Sequence, residues 1–137
     1  MRISIDFRAA EPIYIQIMEQ IRQLVAGGDL KPGDQLPTVR QLATDLRVNF
    51  NTVARAYRLL DEAGLISTQQ GRGTYIWEAP SEETSNRLRQ HGLDELTRRF
   101  LQQAARLAYT PEEINAAIQQ HLRDWQENGH ITEPAGE

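Results

Sequence analysis

The chain has 137 residues, with 15 Lys plus Arg against 19 Asp plus Glu and a formal net charge of -4. That length fits one ordinary domain, or a small domain with a helical appendage, and excludes a large enzyme. Charged residues at 25%, apolar residues at 39% and no cysteine describe a globular chain without disulfides or thiolate metal sites, as suits a reducing cytosol.

Ile3, Ile5 and Phe7 alternate with Ser4 and Asp6, a pattern that predicts a short half-buried strand. From Pro12 to about Ala26, Ile13, Ile17, Ile21, Leu24 and Val25 fall at helical spacing, with Pro12 suited to the first turn and Gly27-Gly28 to the stop. In LKPGDQLPT, Pro32-Gly33 makes a turn and Pro37 holds Leu36 extended. Thr38 and Gln41 then form a capping box for a short second helix ending at Leu46.

Arg47 to Phe50 leave room only for a tight turn before a third helix, with Asn51 expected as its cap. Val53, Ala56, Tyr57, Leu60 and Ala63 make its inward stripe, and Gly64 supplies a left-handed stop. Tyr57 is expected in the core with its hydroxyl at the rim. LISTQ at 65–69 and TYIW at 74–77 read as two strands joined by Gln70-Gly71-Arg72-Gly73. Three helices followed by a hairpin make a winged helix-turn-helix, so residues 1–77 are read as a DNA-binding domain.

Residues 78–137 form the second region, with a linker or helix start at about 78–85 and a frayed tail at about 130–137. Leu93, Leu96, Phe100, Ala104 and Leu107 make a helical stripe. Thr110-Pro111-Glu112-Glu113 places N-cap, N1 proline and N3 glutamate in order before Ile114, Ala117, Ile118, His121, Leu122 and Trp125. The expected fold is therefore mainly α with a small β-hairpin, an N-terminal winged helix-turn-helix followed by a C-terminal helical dimerisation hairpin.

Net acidity weighs against a nucleic-acid partner until the charge is divided by region. Residues 1–77 carry nine Lys plus Arg against eight Asp plus Glu, and residues 78–137 carry six against eleven. Within 35–60 four arginines face the single Asp45, leaving a local basic face. A recognition helix enters the major groove by its N-terminal end, where free N–H groups favour phosphate. Asn49 or Asn51 can pair with adenine there, and Thr52 can bond a phosphate or touch a thymine methyl; the plainer alternatives are a turn residue for Asn49 and a cap for Asn51.

Arg40, near the start of the second helix, opposes the dipole, which favours a phosphate or guanine partner over an ion pair with Asp45 or Asp34. Arg55 and Arg58 lie off the inward stripe, with solvated surface as the alternative to a phosphate contact, for which Arg55 is the better placed. Arg47 in the turn is a further phosphate candidate. Arg72, between two glycines, suits a narrow minor groove.

Together, YIQI at 14–17, GGDLKPGDQLPTVRQLA at 27–43, VNFNTVARAYRLL at 48–60 and GLISTQQGRGTYI at 64–76 closely resemble the DNA-binding domain of GntR-family transcriptional regulators. The helical tail, including AYTPEEI, resembles the short YtrA-type branch. The resemblance implies a homodimer on an inverted-repeat operator, mostly as a repressor. It places DNA contacts at Arg40, at Asn49, Phe50, Asn51 and Thr52, and at Gln70, Gly71 and Arg72. Many relatives carry arginine where this chain has Phe50 and Ala54, so the operator sequence does not carry over.

The tail helices cannot bury their stripes alone, and sixty residues make a poor metabolite pocket. Phe100, Leu107, Tyr109, Ile118, Leu122 and Trp125 are accordingly assigned to a dimer interface, with intrachain core as the competing reading. No cofactor or metal is expected, and a small-molecule effector stays unidentified.

An enzyme fits badly: His91, His121 and His130 match no metal spacing, and GRG at 71–73 lacks the lysine of a phosphate loop. A winged-helix protein-interaction module without DNA affinity is the other alternative. No apolar run approaches the roughly 20 residues that cross a bilayer, and MRISIDFRAAEP lacks a signal-peptide layout. A cytoplasmic location is expected.

Overall fold

The computed structural model describes residues 1–77 and 81–132, which fall into two compact units, Met1–Leu96 and Thr97–Glu137. The first unit begins with an arm that wraps onto helix α1, Ile13–Ala26. Ile17 and Ile21, one turn apart on α1, are fully buried. Pro12 sits outside the helix as its N-cap, and Gly27 closes the other end.

A two-residue strand β1, Gln35–Leu36, precedes helix α2, Val39–Leu46. The expected capping box holds: Gln41 N–H donates to Thr38 Oγ1 at 3.0 Å, and Thr38 N–H donates to Gln41 Oε1 at 2.9 Å. Helix α3 spans Phe50–Glu62 and buries Val53, Ala56, Tyr57 and Leu60. These four side chains follow the 3.6-residue period that an inward stripe requires. Strands β2, Ile66–Gln69, and β3, Gly73–Ile76, form the hairpin.

The hairpin is completed to three strands in the order β1-β3-β2. Tyr75 on β3 pairs with Gln35 on one side and Ser67 on the other. The proline-bounded stretch before α2 thus closes the inner edge of the wing, a strand that local pattern marked only as extended. Helix α4 runs from Glu82 to Arg106, and its Leu88 joins Tyr14, Ile15, Met18, Leu42, Ile66 and Ile76 in one core.

Residues 3–7 form no strand, contrary to the alternation. Ile3 and Ile5 do pack against the core, but the backbone between them bonds to side chains of α1. Gln20 accepts from Ser4 N–H at 2.9 Å and donates to Ser4 O at 2.7 Å; Gln16 does the same with Asp6 at 2.8 and 2.9 Å. Two glutamine amides therefore satisfy backbone groups that a neighbouring strand would otherwise have to satisfy.

In the second unit, helix α5, Pro111–Asn128, follows a complete capping box at Thr110 and Glu113 and stops at Gly129, φ 75°. None of the side chains of α5 is buried, and in the preceding stretch of α4 Ala104 is buried. Of the expected linker, residues 78–80 lie outside the described residues, and Glu82–Ser85 are already helical. Of the expected frayed tail, 130–132 are non-helical and 133–137 lie outside the described residues.

Candidate nucleic-acid interface

Three residues, Arg47, Val48 and Asn49, separate α2 from α3. Arg47 takes the left-handed conformation, φ 57° and ψ 45°, which ends α2 and turns the chain. Val48 then folds inward, its N–H donating to Ala43 O at 3.0 Å. Left-handed backbone costs a residue with a Cβ about 1–2 kcal/mol, so the turn places an exposed arginine where glycine would be easier.

Asn49, not Asn51, caps α3. Its Oδ1 accepts the Asn51 N–H at 2.7 Å from an extended backbone, φ -63° and ψ 137°. Helical geometry already begins at Phe50, two residues earlier than a cap at Asn51 would give, so Asn51 lies inside the first turn. The Asn51 side chain is exposed and, among the described residues, makes no hydrogen bond. Phe50 is 50% exposed. Thr52 is half-buried, and its N–H donates to Asn49 O at 3.0 Å.

Burial of the Val53–Leu60 stripe fixes which way this tip faces. Tyr57 adds a tether, its hydroxyl donating to Pro37 O at 2.7 Å, and burial pushes its phenol pKa well above the ordinary tyrosine range. Arg58 is exposed on the opposite face. Arg55 is also exposed, but its guanidinium lies 4.0 Å over the ring of Tyr14. The face of the Arg55 guanidinium is thus set against an aromatic partner on α1.

Arg40, second residue of α2, is exposed. Neither Asp45 nor Asp34 pairs with it among the described residues; Asp34 instead accepts the Lys31 N–H at 2.8 Å. A shallow cleft beside it is lined by Pro37, Gln41, Thr44 and Asp45.

At the wing tip Gln70, Gly71 and Arg72 are exposed. The Arg72 carbonyl accepts from the Tyr75 hydroxyl at 2.7 Å and from Gln35 Nε2 at 3.5 Å, which holds the tip backbone and leaves the guanidinium outside. Gly73 suits this position because its φ of 105° is a conformation that residues with a Cβ rarely adopt; an added Cβ would also stand 2.6 Å from Gln35 Nε2 and push that side-chain end aside. Sequence pattern did not single out Gln35 or Tyr14, each of which acts through a partner distant along the chain, nor Tyr75, whose hydroxyl reaches back three residues to the Arg72 carbonyl.

Of the residues assigned to a dimer interface, Phe100, Leu107, Tyr109, Leu122 and Trp125 are 40–65% exposed, and Ile118 is half-buried. Among the described residues no group of His, Asp or Glu could hold a metal ion, and no helix is long and apolar enough to cross a membrane.

A short helix pair joined by a tight turn, the second helix presenting an exposed tip beside a glycine-hinged wing, defines a winged helix-turn-helix of the DNA-binding regulator class. Residues 13–76 match the family "Bacterial regulatory proteins, gntR family". Over 76 residues the chain is 53% identical to the HTH-type transcriptional repressor YtrA of Bacillus subtilis (strain 168), covering 56% of this chain and 58% of that one. It is 35% identical over 113 residues to the HTH-type regulator YhcF of the same organism, covering 82% and 92%. Among solved structures, YtrA of Sulfolobus acidocaldarius, a GntR-family transcription factor, is 34% identical with a TM-score of 0.52 over 89% of this chain and 97% of that one. The chain belongs to the GntR family of DNA-binding transcriptional regulators, with the helical tail of its short, YtrA-like members.

Proposed function

We propose that this protein is a repressor that binds an inverted-repeat operator as a homodimer, each copy placing the tip of α3 in a major groove. The observation that carries this reading is the tip itself. Asn49, Phe50 and Asn51 are exposed although the same helix buries Val53, Ala56, Tyr57 and Leu60, and the exposed Arg40 of α2 has no ion-pair partner among the described residues. In this reading Arg40 and Arg47 contact phosphate or a guanine edge, Asn49, Phe50, Asn51 and Thr52 face bases, and Gln70, Gly71 and Arg72 follow the neighbouring minor groove. Arg55, exposed and stacked on Tyr14 through its face, contacts phosphate through the N–H edge of its guanidinium.

Dimerisation is supported by the second unit, whose α5 buries no side chain. Its groove of about 540 Å³ is lined by Phe100, Ala104, Leu107, Tyr109, Ile114 and Ala117 among others. A second copy covering that groove satisfies residues that one copy leaves in water. Two copies then set their tips about 34 Å apart, one turn of DNA. A small-molecule effector is compatible with this arrangement, and the cytoplasm is where the operator would be met.

Selection of random duplexes by the purified protein tests the reading. Enrichment of an inverted repeat is the expected result, with affinity falling steeply between roughly 50 and 200 mM salt as counterions are released. Enrichment of nothing at any salt overturns it in favour of a protein-interaction module. Arg40→Ala should cost roughly 1–3 kcal/mol of operator affinity and leave thermal unfolding nearly unchanged.

A further inference from the structure

Phe50 is the one large apolar side chain at the tip of α3, and the fold gives no reason for it. It is 50% exposed, it stands outside the set of apolar residues packed on the core, and as first residue of the helix it caps nothing. Phenylalanine is a mediocre helix former. The fold would be as well served by a small polar residue.

The rest of the tip narrows what Phe50 can meet. From Asn49 to Val53 no side chain is charged, so this turn lacks the arginine or lysine that reads guanine O6 and N7 through two hydrogen bonds. The oxygen of Asn49 is committed to the Asn51 N–H. Asn51, exposed and unengaged among the described residues, offers a carboxamide that fits adenine N6 and N7. An aromatic ring next to it has one complementary feature in the major groove, the C5-methyl group of thymine, which is the apolar projection there.

Building on the operator-binding reading above, we propose that Phe50 is a specificity-determining residue that reads the C5-methyl of a thymine in each half-site. The tip of α3 thereby selects an A·T step, with Asn51 on the adenine side. The distinguishing feature is the methyl group, not the base pair. Burying one methyl against a ring corresponds to about 0.8 kcal/mol, or roughly fourfold in affinity.

The experiment uses the duplex recovered by selection, with each thymine replaced in turn by deoxyuridine, which deletes the methyl and keeps every hydrogen-bonding group. The parent protein should lose about fourfold per half-site at one symmetry-related thymine, and Phe50→Ala should bind the thymine and uracil duplexes equally. Phe50→Leu, which keeps an apolar contact, should retain part of the discrimination. Placing cytosine or 5-methylcytosine at the same position should restore a preference for the methylated base in the parent only.

If the parent binds the duplex yet tolerates uracil at every position, or if Phe50→Ala discriminates as the parent does, the assignment of Phe50 is overturned while operator binding stands. If the parent binds no duplex, the operator-binding reading fails and this inference with it. Unchanged far-ultraviolet circular dichroism separates lost readout from lost fold in the variants.

Discussion

The guanidinium of Arg55 on α3 lies 4.0 Å over the ring centroid of Tyr14 on α1, joining the recognition helix to the helix behind it. Tyr14 itself is 3% exposed and meets His91 of α4 edge-on, with hydroxyl and Nε2 3.5 Å apart. A cation held over an aromatic face is worth about 0.5–1 kcal/mol where one side is open to water. In a double-mutant cycle with Arg55→Ala and Tyr14→Leu, urea unfolding should therefore give a coupling energy near that range. A coupling indistinguishable from zero would show that the stacked pair contributes nothing to the fold.

Arg47 provides a separation of fold from function with opposite signs. Its φ of 57° is a conformation that glycine adopts without strain. Arg47→Gly should raise the unfolding midpoint, by about 1 kcal/mol of relieved backbone strain less the added freedom of the unfolded chain. If the exposed cation contacts phosphate, the same variant should bind operator more weakly and with a shallower dependence on salt. Thermal unfolding and a salt titration of binding, made on one preparation, check both signs.

Acid sensitivity should centre on Glu19. Arg22 Nε donates to its carboxylate at 2.9 Å, and Arg89 lies 3.4 Å away. The hydrogen bond from Arg22 holds the Glu19 carboxyl below its ordinary 4.5, against the opposing effect of burial. A folded pKa below the unfolded one means that the unfolded chain binds the proton first as pH falls. The contribution is fully present above about 4.5 and disappears as pH drops through the lowered folded value. Glu19→Gln should be less stable than the parent at neutral pH, and the gap should close on acidification. A gap that stays constant down the acid limb would remove Glu19 from the account.

Self-association should depend on the exposed apolar residues of the second unit. Leu107 is 65% exposed and Trp125 48%; neither is held by the fold of one copy. Leu107→Ser with Trp125→Ser should convert a dimer to a monomer in sedimentation equilibrium while helix content stays close to that of the parent. Operator affinity should fall far more than half-site affinity, because each half-site keeps its own tip. A double variant that remains dimeric would place the interface elsewhere.

What the sequence alone determined are the features with local physical causes. Capping boxes at Thr38–Gln41 and Thr110–Glu113 join residues three apart, the stripe of Val53, Ala56, Tyr57 and Leu60 repeats along one helix, and Gly64 and Gly129 need no distant partner to adopt positive φ. Motifs of this kind were enough to give the winged helix-turn-helix and the family resemblance. Tertiary structure decided everything that depends on what arrives from elsewhere in the chain. The arm at Ile3–Phe7 alternates like a strand, but two glutamines of α1 take its backbone hydrogen bonds. Gln35–Leu36 becomes a strand because β3 is beside it. Asn49 takes the cap because the turn left Phe50 already helical. Arg55 and Tyr14 are 41 positions apart in sequence, and the spacing of residues along one helix cannot reveal which side chain a neighbouring helix will set against it.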